Sequence, residues 1–321
     1  MSSSILRPPT EREDLDSREP DGVRTARGIV VGTVTAVAFG LGGFRLVHDG
    51  SGAMSNVLFL LVPFVTGLAT GIVTRAKELL FTSLVMGALM CTVVLLATGM
   101  EGWVCVLMSA PFIIVGLGVG GVIGLLIGKL LRNIGVKHLV MLLTLGVLPV
   151  FLMGANKIEE PSRRILRAET ITNTFTTDAP RELVWNQLKT FDRIEGTKGL
   201  LMRIGLPVPV SCSMSGEGVG ATRTCYFEHG HIAERVTEWN PPSSMKLEIT
   251  EFDVPGRPWL SFQGASYELT TENNRTVVTR KTTIVSRLSP AWYWQPLEKI
   301  GVETEHEYLF EEVKRKIEGA K

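Results

Sequence analysis

The sequence predicts two parts of different class, an α-helical membrane bundle of about five transmembrane helices and then an α+β domain. Three observations lead there. The 321-residue chain is 45% hydrophobic, and its apolar residues gather in the first half. Five apolar runs in that half, roughly 28–47, 55–74, 79–98, 103–131 and 138–155, each approach the length of about 20 residues that a helix needs to cross a bilayer. After Pro161 the pattern changes to one helix signal, several alternating runs separated by turn residues, and a helical end. Residues 1–27 read as a disordered polar tail, 28–155 as the bundle, 156–167 as a linker and 168–321 as the α+β domain.

The tail mixes Arg12, Glu13, Asp14, Asp16, Arg18, Glu19 and Asp21 with almost nothing to bury, and is too long and acidic for a signal-peptide start. Basic residues in the short flanks orient the bundle. Arg18, Arg24 and Arg27, then Arg75 and Lys77, then Lys129, Arg132 and Lys137 all fall on one side, which assigns the N-terminus to the cytoplasm. Five spans then put the C-terminal domain outside, with the chain integral to the cytoplasmic membrane. Lys157, Arg163, Arg164 and Arg167 pull the other way, tempered by Glu159 and Glu160.

Gly116, Gly120, Gly124 and Gly128 recur every four residues and form one flat stripe on the fourth helix, where another backbone can approach closely. Packing inside the bundle is the first reading of that stripe; a homo-oligomer contact or a lipid groove is the alternative. No ionisable residue falls at the middle of any run, which fits an anchor or lipid-facing bundle better than a proton- or ion-coupled transporter. The count of 33 basic against 32 acidic residues gives +1 and argues against a nucleic-acid partner.

In the second part, 168–177 alternates weakly as a first strand. DAPRELVWNQL starts a helix with Asp178 as N-cap candidate, Pro180 in the first turn, and Leu183, Val184 and Leu188 facing inward. Strands follow at 208–215, 221–227, 231–239, 245–252, 259–270 and 276–286, divided by GEGVG, EHGH, NPPS, PGRP and ENNR turns. The last helix starts at Ser289-Pro290, has Pro296 as an early break or restart, and buries Ile300, Leu309, Val313 and Ile317.

The hairpin ATRTCYFEHGHIAERVTEW turns at His229-Gly230. Taking Phe227 opposite Ile232 places Cys225 opposite Glu234 and Arg223 opposite Val236, so two charges, Arg223 and Glu234, point inward as diagonal neighbours. An internal ion pair that only holds the hairpin is one reading of them. The same count places Cys212 opposite Cys225, where either a disulfide or two buried thiols fits. His229 and His231 read as exposed turn residues, since no cluster with metal spacing accompanies them, and neither a phosphate-binding loop nor a serine-nucleophile motif is present. No metal and no cofactor is expected.

The stretches DAPRELVW, GVGATRTCYFEHGHIAERVTEW and LSPAWYWQPLEKIGVETEHEYLFEEVKRKI together resemble the START-like or SRPBCC superfamily, in its polyketide cyclase and dehydrase branch. That resemblance spans about 169–317 and leaves the membrane half unrecognised. It implies a helix-grip: an antiparallel curved sheet around the long C-terminal helix, with a cavity between them for a lipid or other hydrophobic small molecule. Arg223, Glu234, Tyr267, His306 and Cys225 would then face the ligand, although an ordinary surface histidine is the first reading of His306; Tyr267, Trp292 and Trp294 could line or cap the cavity, although aromatics in such positions are more often plain core. A cyclase- or dehydrase-type enzyme with Glu234 or His306 as acid or base, and an interaction module of the cell envelope, are the alternatives.

Overall fold

The structure, a computed structural model, describes residues 21–47, 56–98, 103–134, 142–163, 166–254 and 260–319. Most of the expected tail, 1–20, lies outside the described residues. The chain divides into two compact units, the last changeover falling between Lys157 and Ile158.

The first unit is built from α1 (Asp21–Val47), α2 (Val62–Val73, entered through a π-helical turn, Val57–Leu61), α3 (Lys77–Ala97), α4 (Trp103–Asn133) and α5 (Leu148–Arg163, entered through a second π-helical turn, Leu143–Val147), except that α4 up to Met108 and α5 from Ile158 fall in the second unit. Residues 21–27, read as tail, are the first turns of α1, and most of the expected linker is the end of α5. Both π-helical turns stand just before a proline, Pro63 and Pro149. Proline has no N–H for the carbonyl four residues back and its ring crowds that carbonyl, so a widened turn relieves the ladder there.

By length and composition, three described helices can cross a membrane: Gly22–Val47, Lys77–Ala97 and Trp103–Asn133. The expectation of about five spans is not met on that criterion. Val57–Val73 is apolar but short, and α5 closes on Asn156, Lys157, Glu159 and Glu160.

The glycine stripe of α4 lies against α2. A Cβ on Gly120, Gly124 or Gly128 would fall onto the carbonyl oxygens of Phe64, Leu68 and Ile72 respectively, and Gly67 and Gly71 of α2 return the close approach against Leu117 and Gly121. The stripe is therefore filled by this chain's own helix, which removes it as the homo-oligomer contact considered from sequence. Small residues also set α1 on α3: Gly28 meets Leu79, Gly32 meets Ser83, Gly40 meets Cys91, and Gly87 meets Ala36.

The second unit is β1 (Arg167–Thr177), α6 (Arg181–Lys189), α7 (Leu200–Arg203), β2 (Pro209–Met214), β3 (Thr222–Phe227), β4 (His231–Asn240), β5 (Ser244–Asp253), β6 (Leu260–Glu272), β7 (Arg275–Ser286) and α8 (Ala291–Gly319). The strands form one antiparallel sheet in the order β1-β7-β6-β5-β4-β3-β2. Bulges between Ala233 and Glu234, between Val236 and Glu238, and between Phe262 and Gly264 bend it. On the inner face lies α8, with Val302, His306, Leu309, Phe310, Val313 and Ile317 buried. Each fully buried Val, Leu or Phe there contributes about 1.5–3 kcal/mol.

Several local expectations are corrected. Asp178 does not cap α6; Pro180 holds the N-cap position, and the Asp178 carboxylate accepts from Arg275 at 2.7 Å. Pro296 neither breaks nor restarts the last helix, which runs through it. Ile300 is exposed, and Val302 takes the inward place. The β3–β4 hairpin turns over Phe227–Gly230, where the Phe227 N–H donates to the Gly230 carbonyl, so Cys225 faces Ile232 and Arg223 faces Glu234. The expected register was two residues off. A slip of two keeps every side chain on its face, whereas a slip of one would have inverted them.

Candidate functional site

Three elements carry the same inward order of residue types. Along β7 it is Val278, Arg280, Thr282, Ile284; along β1, Phe175, Asn173, Ile171; along α8, Leu309, then His306 and Glu305, then Val302. Phe175, Val278 and Leu309 belong to the large apolar core, whereas Ile171, Ile284 and Val302 form a separate small cluster. A polar belt crosses the interior between them.

Turn chemistry and register place the belt's side chains. Asn273 and Asn274, with φ of 48° and 64°, close the β6–β7 hairpin through left-handed positions that Asn tolerates. That turn fixes Tyr267 opposite Arg280, which on its other side faces Asn173 of β1. From the far side of the sheet, Arg223 of β3 faces Glu234 of β4, beside the bulge that re-aims β4 against β5.

Arg223 is 2% exposed and Glu234 6%. Arg223 Nη1 donates to Glu234 Oε2 at 2.7 Å, and its Nε donates to the Lys189 carbonyl at 3.2 Å. Arg280 Nη2 lies 3.1 Å from Glu305 Oε1 and 3.0 Å from Oε2. Both guanidinium carbons stand near the Tyr267 ring, at 5.8 Å for Arg223 and 5.4 Å for Arg280, within cation–π range. Burial raises the Glu305 carboxyl above the ordinary glutamate range, with Arg280 opposing that shift and Glu234 adding to it. Taking an ion out of water costs several kcal/mol, which only good pairing recovers. A domain held together by apolar packing alone has no need of four such groups inside.

His306, fully buried, is wired on both sides. Its Nδ1 lies 2.7 Å from Asn173 Oδ1 and its Nε2 lies 2.7 Å from Thr282 Oγ1. The partners assign the tautomer: Nδ1–H donates to the Asn173 amide oxygen, and the Thr282 hydroxyl donates to Nε2. Burial first, and Arg280 second, lower its pKa to about 2, so the ring stays neutral.

Of the residues expected from sequence, the structure brings Arg223, Glu234, Tyr267 and Cys225 together and sets His306 beside them through Arg280 and Thr282. Cys225 Sγ is 4.0 Å from Glu234 Oε2, a packing contact, because Cys212 and Cys225 are directly opposed, 4.0 Å apart at Cα, and disulfide-bonded. Trp292 is exposed and lines nothing inside, while Trp294 is buried with its indole N–H on the Ser289 carbonyl. His231 sits at the surface 3.4 Å from Glu251. Sequence reasoning missed Arg280, Glu305, Thr282 and Asn173. Counting by two between Val278 and Ile284 points Arg280 and Thr282 inward, and stepping back four from Leu309 reaches Glu305. The signal was present in both cases.

No protein-family model matches the chain, and no curated protein matches it. Solved structures that it is similar to include the Aha1 dimer from Colwellia psychrerythraea, at 18% identity and a TM-score of 0.30 over 44% of this chain and 92% of that one. Norcoclaurine synthase from Thalictrum flavum, in complex with dopamine and hydroxybenzaldehyde, follows at 12% and 0.32 over 49% and 90%. The Zhui aromatase/cyclase from Streptomyces sp. R1128 stands at 16% and 0.33 over 47% and 96%. Likeness at this level carries nothing about activity. The strand order, with β1 returning beside β7 and α8 along the inner face, itself fits the helix-grip arrangement.

Proposed function

We propose that this chain is a membrane-anchored binding module whose C-terminal domain holds a lipid or other hydrophobic small molecule between sheet and α8, oriented by the polar belt. One observation carries the reading: two arginines, Glu234 and Tyr267 lie buried in an apolar interior, with Glu305 partly buried beside Arg280, the pattern of a few placed polar groups in an apolar site. The test is organic extraction of the purified full chain followed by mass spectrometry. A small molecule recovered near one per chain supports the reading; its absence, together with no thermal shift by any amphiphile, counts against it.

Acid–base chemistry by the two groups first considered has less support. Both His306 nitrogens are engaged, and Glu234 is held by Arg223. Glu305, with its raised pKa, is the group that favours a cyclase- or dehydrase-type reading. A substrate whose turnover survives Glu234→Gln and dies in Glu305→Gln would establish it.

Helix directions support five crossings. The matched pairs 28 with 79, 32 with 83 and 40 with 91 ascend together, so α1 and α3 are parallel. The chain must return across the membrane between two parallel spans, and α2 is the helix that lies between them in the chain. Gly43 meets Val62, and Gly32 meets Thr74, so α2 runs against α1; its match with α4 ascends. Along α5, Leu152 approaches Gly43 and Asn156 donates to the Leu46 carbonyl at 3.4 Å, so α5 runs with α1. Alternation through five helices leaves the two ends of the chain on opposite faces, and Arg132, which donates to the Ile72 carbonyl at 3.0 Å, sits at the Arg75 end. A cytoplasm-only reporter fused after Lys321 is expected to be silent, and one inserted at Ala76 active. The opposite pattern refutes the topology.

A further inference from the structure

The belt has more hydrogen-bond donors than its own acceptors use. After the pairings to Glu234, Glu305 and Lys189, four buried polar atoms make no hydrogen bond of good geometry among the described residues: Arg223 Nη2, Arg280 Nε, Arg280 Nη1 and the Tyr267 hydroxyl, the last of which lies close enough to the Arg223 guanidinium to interact with it. They come from β3, β6 and β7, and both guanidiniums gather about the Tyr267 ring. Three of the four atoms are cationic N–H donors, and the fourth is a hydroxyl that can donate. Each buried donor left unmatched costs about 1–3 kcal/mol, more when charged. With the glutamates and the Lys189 carbonyl served, Arg223 keeps one nitrogen, Nη2, and Arg280 keeps two, Nε and Nη1.

We propose that the belt binds a carboxylate, either as the head of a monocarboxylate amphiphile or as a free small monocarboxylate. This rests on the interior-binding reading and adds the ligand's chemical class. A carboxylate has two oxygens whose lone pairs can accept from Arg223 Nη2, from an Arg280 N–H and from a phenolic O–H. Charge limits the choice further. Glu234 and Glu305 already oppose Arg223 and Arg280, so a dianionic phosphate would set four negative charges against two positive ones. A single carboxylate adds one negative charge to that set, half of what such a phosphate would bring. His306, kept neutral between Asn173 and Thr282, adds no charge.

The test uses the full chain in phosphatidylcholine nanodiscs, with empty nanodiscs subtracted for partitioning, and radiolabelled dodecanoate as probe. Dodecanoate is expected to bind saturably, one per chain, with dodecanol and dodecyltrimethylammonium at least about tenfold weaker, the factor set by one charge-assisted hydrogen bond. Tyr267→Phe, which removes one O–H and keeps the ring, is expected to weaken dodecanoate about tenfold and leave dodecanol unchanged. Arg280→Lys, which keeps the charge and loses the planar fork, is expected to act in the same direction. Displacement of dodecanoate by acetate at comparable concentration identifies a free small carboxylate as the source; no displacement identifies an amphiphile. Equal binding of acid and alcohol, indifferent to Tyr267→Phe, overturns the carboxylate proposal and leaves interior binding standing. Saturable binding of neither overturns both and assigns the donors to ordered water.

Discussion

Acid is expected to unfold the C-terminal domain by way of His306, to an extent its surroundings fix. The ring is fully buried, with both nitrogens engaged, and its pKa falls from 6.5 to about 2. Because the folded-state value is the lower one, the unfolded chain takes up the proton first. The stabilisation is complete above pH 6.5 and is lost as pH falls below it, with a slope approaching about 1.4 kcal/mol per pH unit. By pH 4.5, two units down, about 2.7 kcal/mol of stability is lost from this group alone. Carboxylates titrate in the same range, and Glu305, with its raised pKa, acts with the opposite sign. Comparison with His306→Gln removes those common contributions. Denaturant titrations of the full chain in detergent, followed by the fluorescence of Trp185, Trp239 and Trp294, give each stability at pH 7.5, 6.0 and 4.5. Wild type is expected to lose about 2–3 kcal/mol more than the variant across that span. Parallel pH profiles for the two proteins would refute the buried, neutral histidine.

Three further outcomes are expected. Glu234→Ala strands the Arg223 charge in the interior and is expected to cost about 3–5 kcal/mol of unfolding free energy in denaturant titrations, with the double replacement Arg223→Met, Glu234→Leu recovering most of it; a double variant as weak as the single would contradict the pairing. Gly120→Leu drives a side chain into the Phe64 backbone and is expected to lower the bundle's unfolding temperature in detergent by many degrees, whereas Gly118→Leu, with nothing within 4 Å of its added Cβ, is expected to be near neutral; equal effects would argue against α2 filling the stripe. In protein isolated from membranes and denatured without reductant, Cys212 and Cys225 are expected to resist alkylation, and the bond, closing a separation of 13 residues, to contribute about 3 kcal/mol at most; alkylation of both would remove the bond and the support it lends to an external domain.

What was legible in the sequence is what local periodicity encodes. The strands of the second unit lie close to the stretches that alternation marked, because a sheet half-buried on one face must alternate. The inward charge of Arg223 and Glu234 was readable for the same reason, and survived a register error because the error was even. Their direct opposition was not readable, since it depends on whether the turn is centred between Glu228 and His229 or one residue further along the chain. Arg280 and Glu305 escaped because each looks like an ordinary solvent-facing charge until the neighbouring apolar residues are used to set the phase. Asp178 failed as a cap through tertiary competition: Arg275, 97 residues away, takes its carboxylate. In the first unit, apolar runs mark helices but say nothing of their partners, so the stripe's match to α2 and the parallel pairing of α1 with α3 emerged only from the fold.

The most direct measurement of the central claim is native mass spectrometry of the intact chain released gently from detergent or nanodiscs, in wild type and in Arg280→Gln. If the belt orients a bound small molecule, wild type carries one adduct of defined mass per chain, lost on collisional activation, and Arg280→Gln carries much less of it while keeping its folded charge-state distribution. A wild type that flies without an adduct, or an adduct that persists unchanged in Arg280→Gln, would contradict a ligand site at the belt.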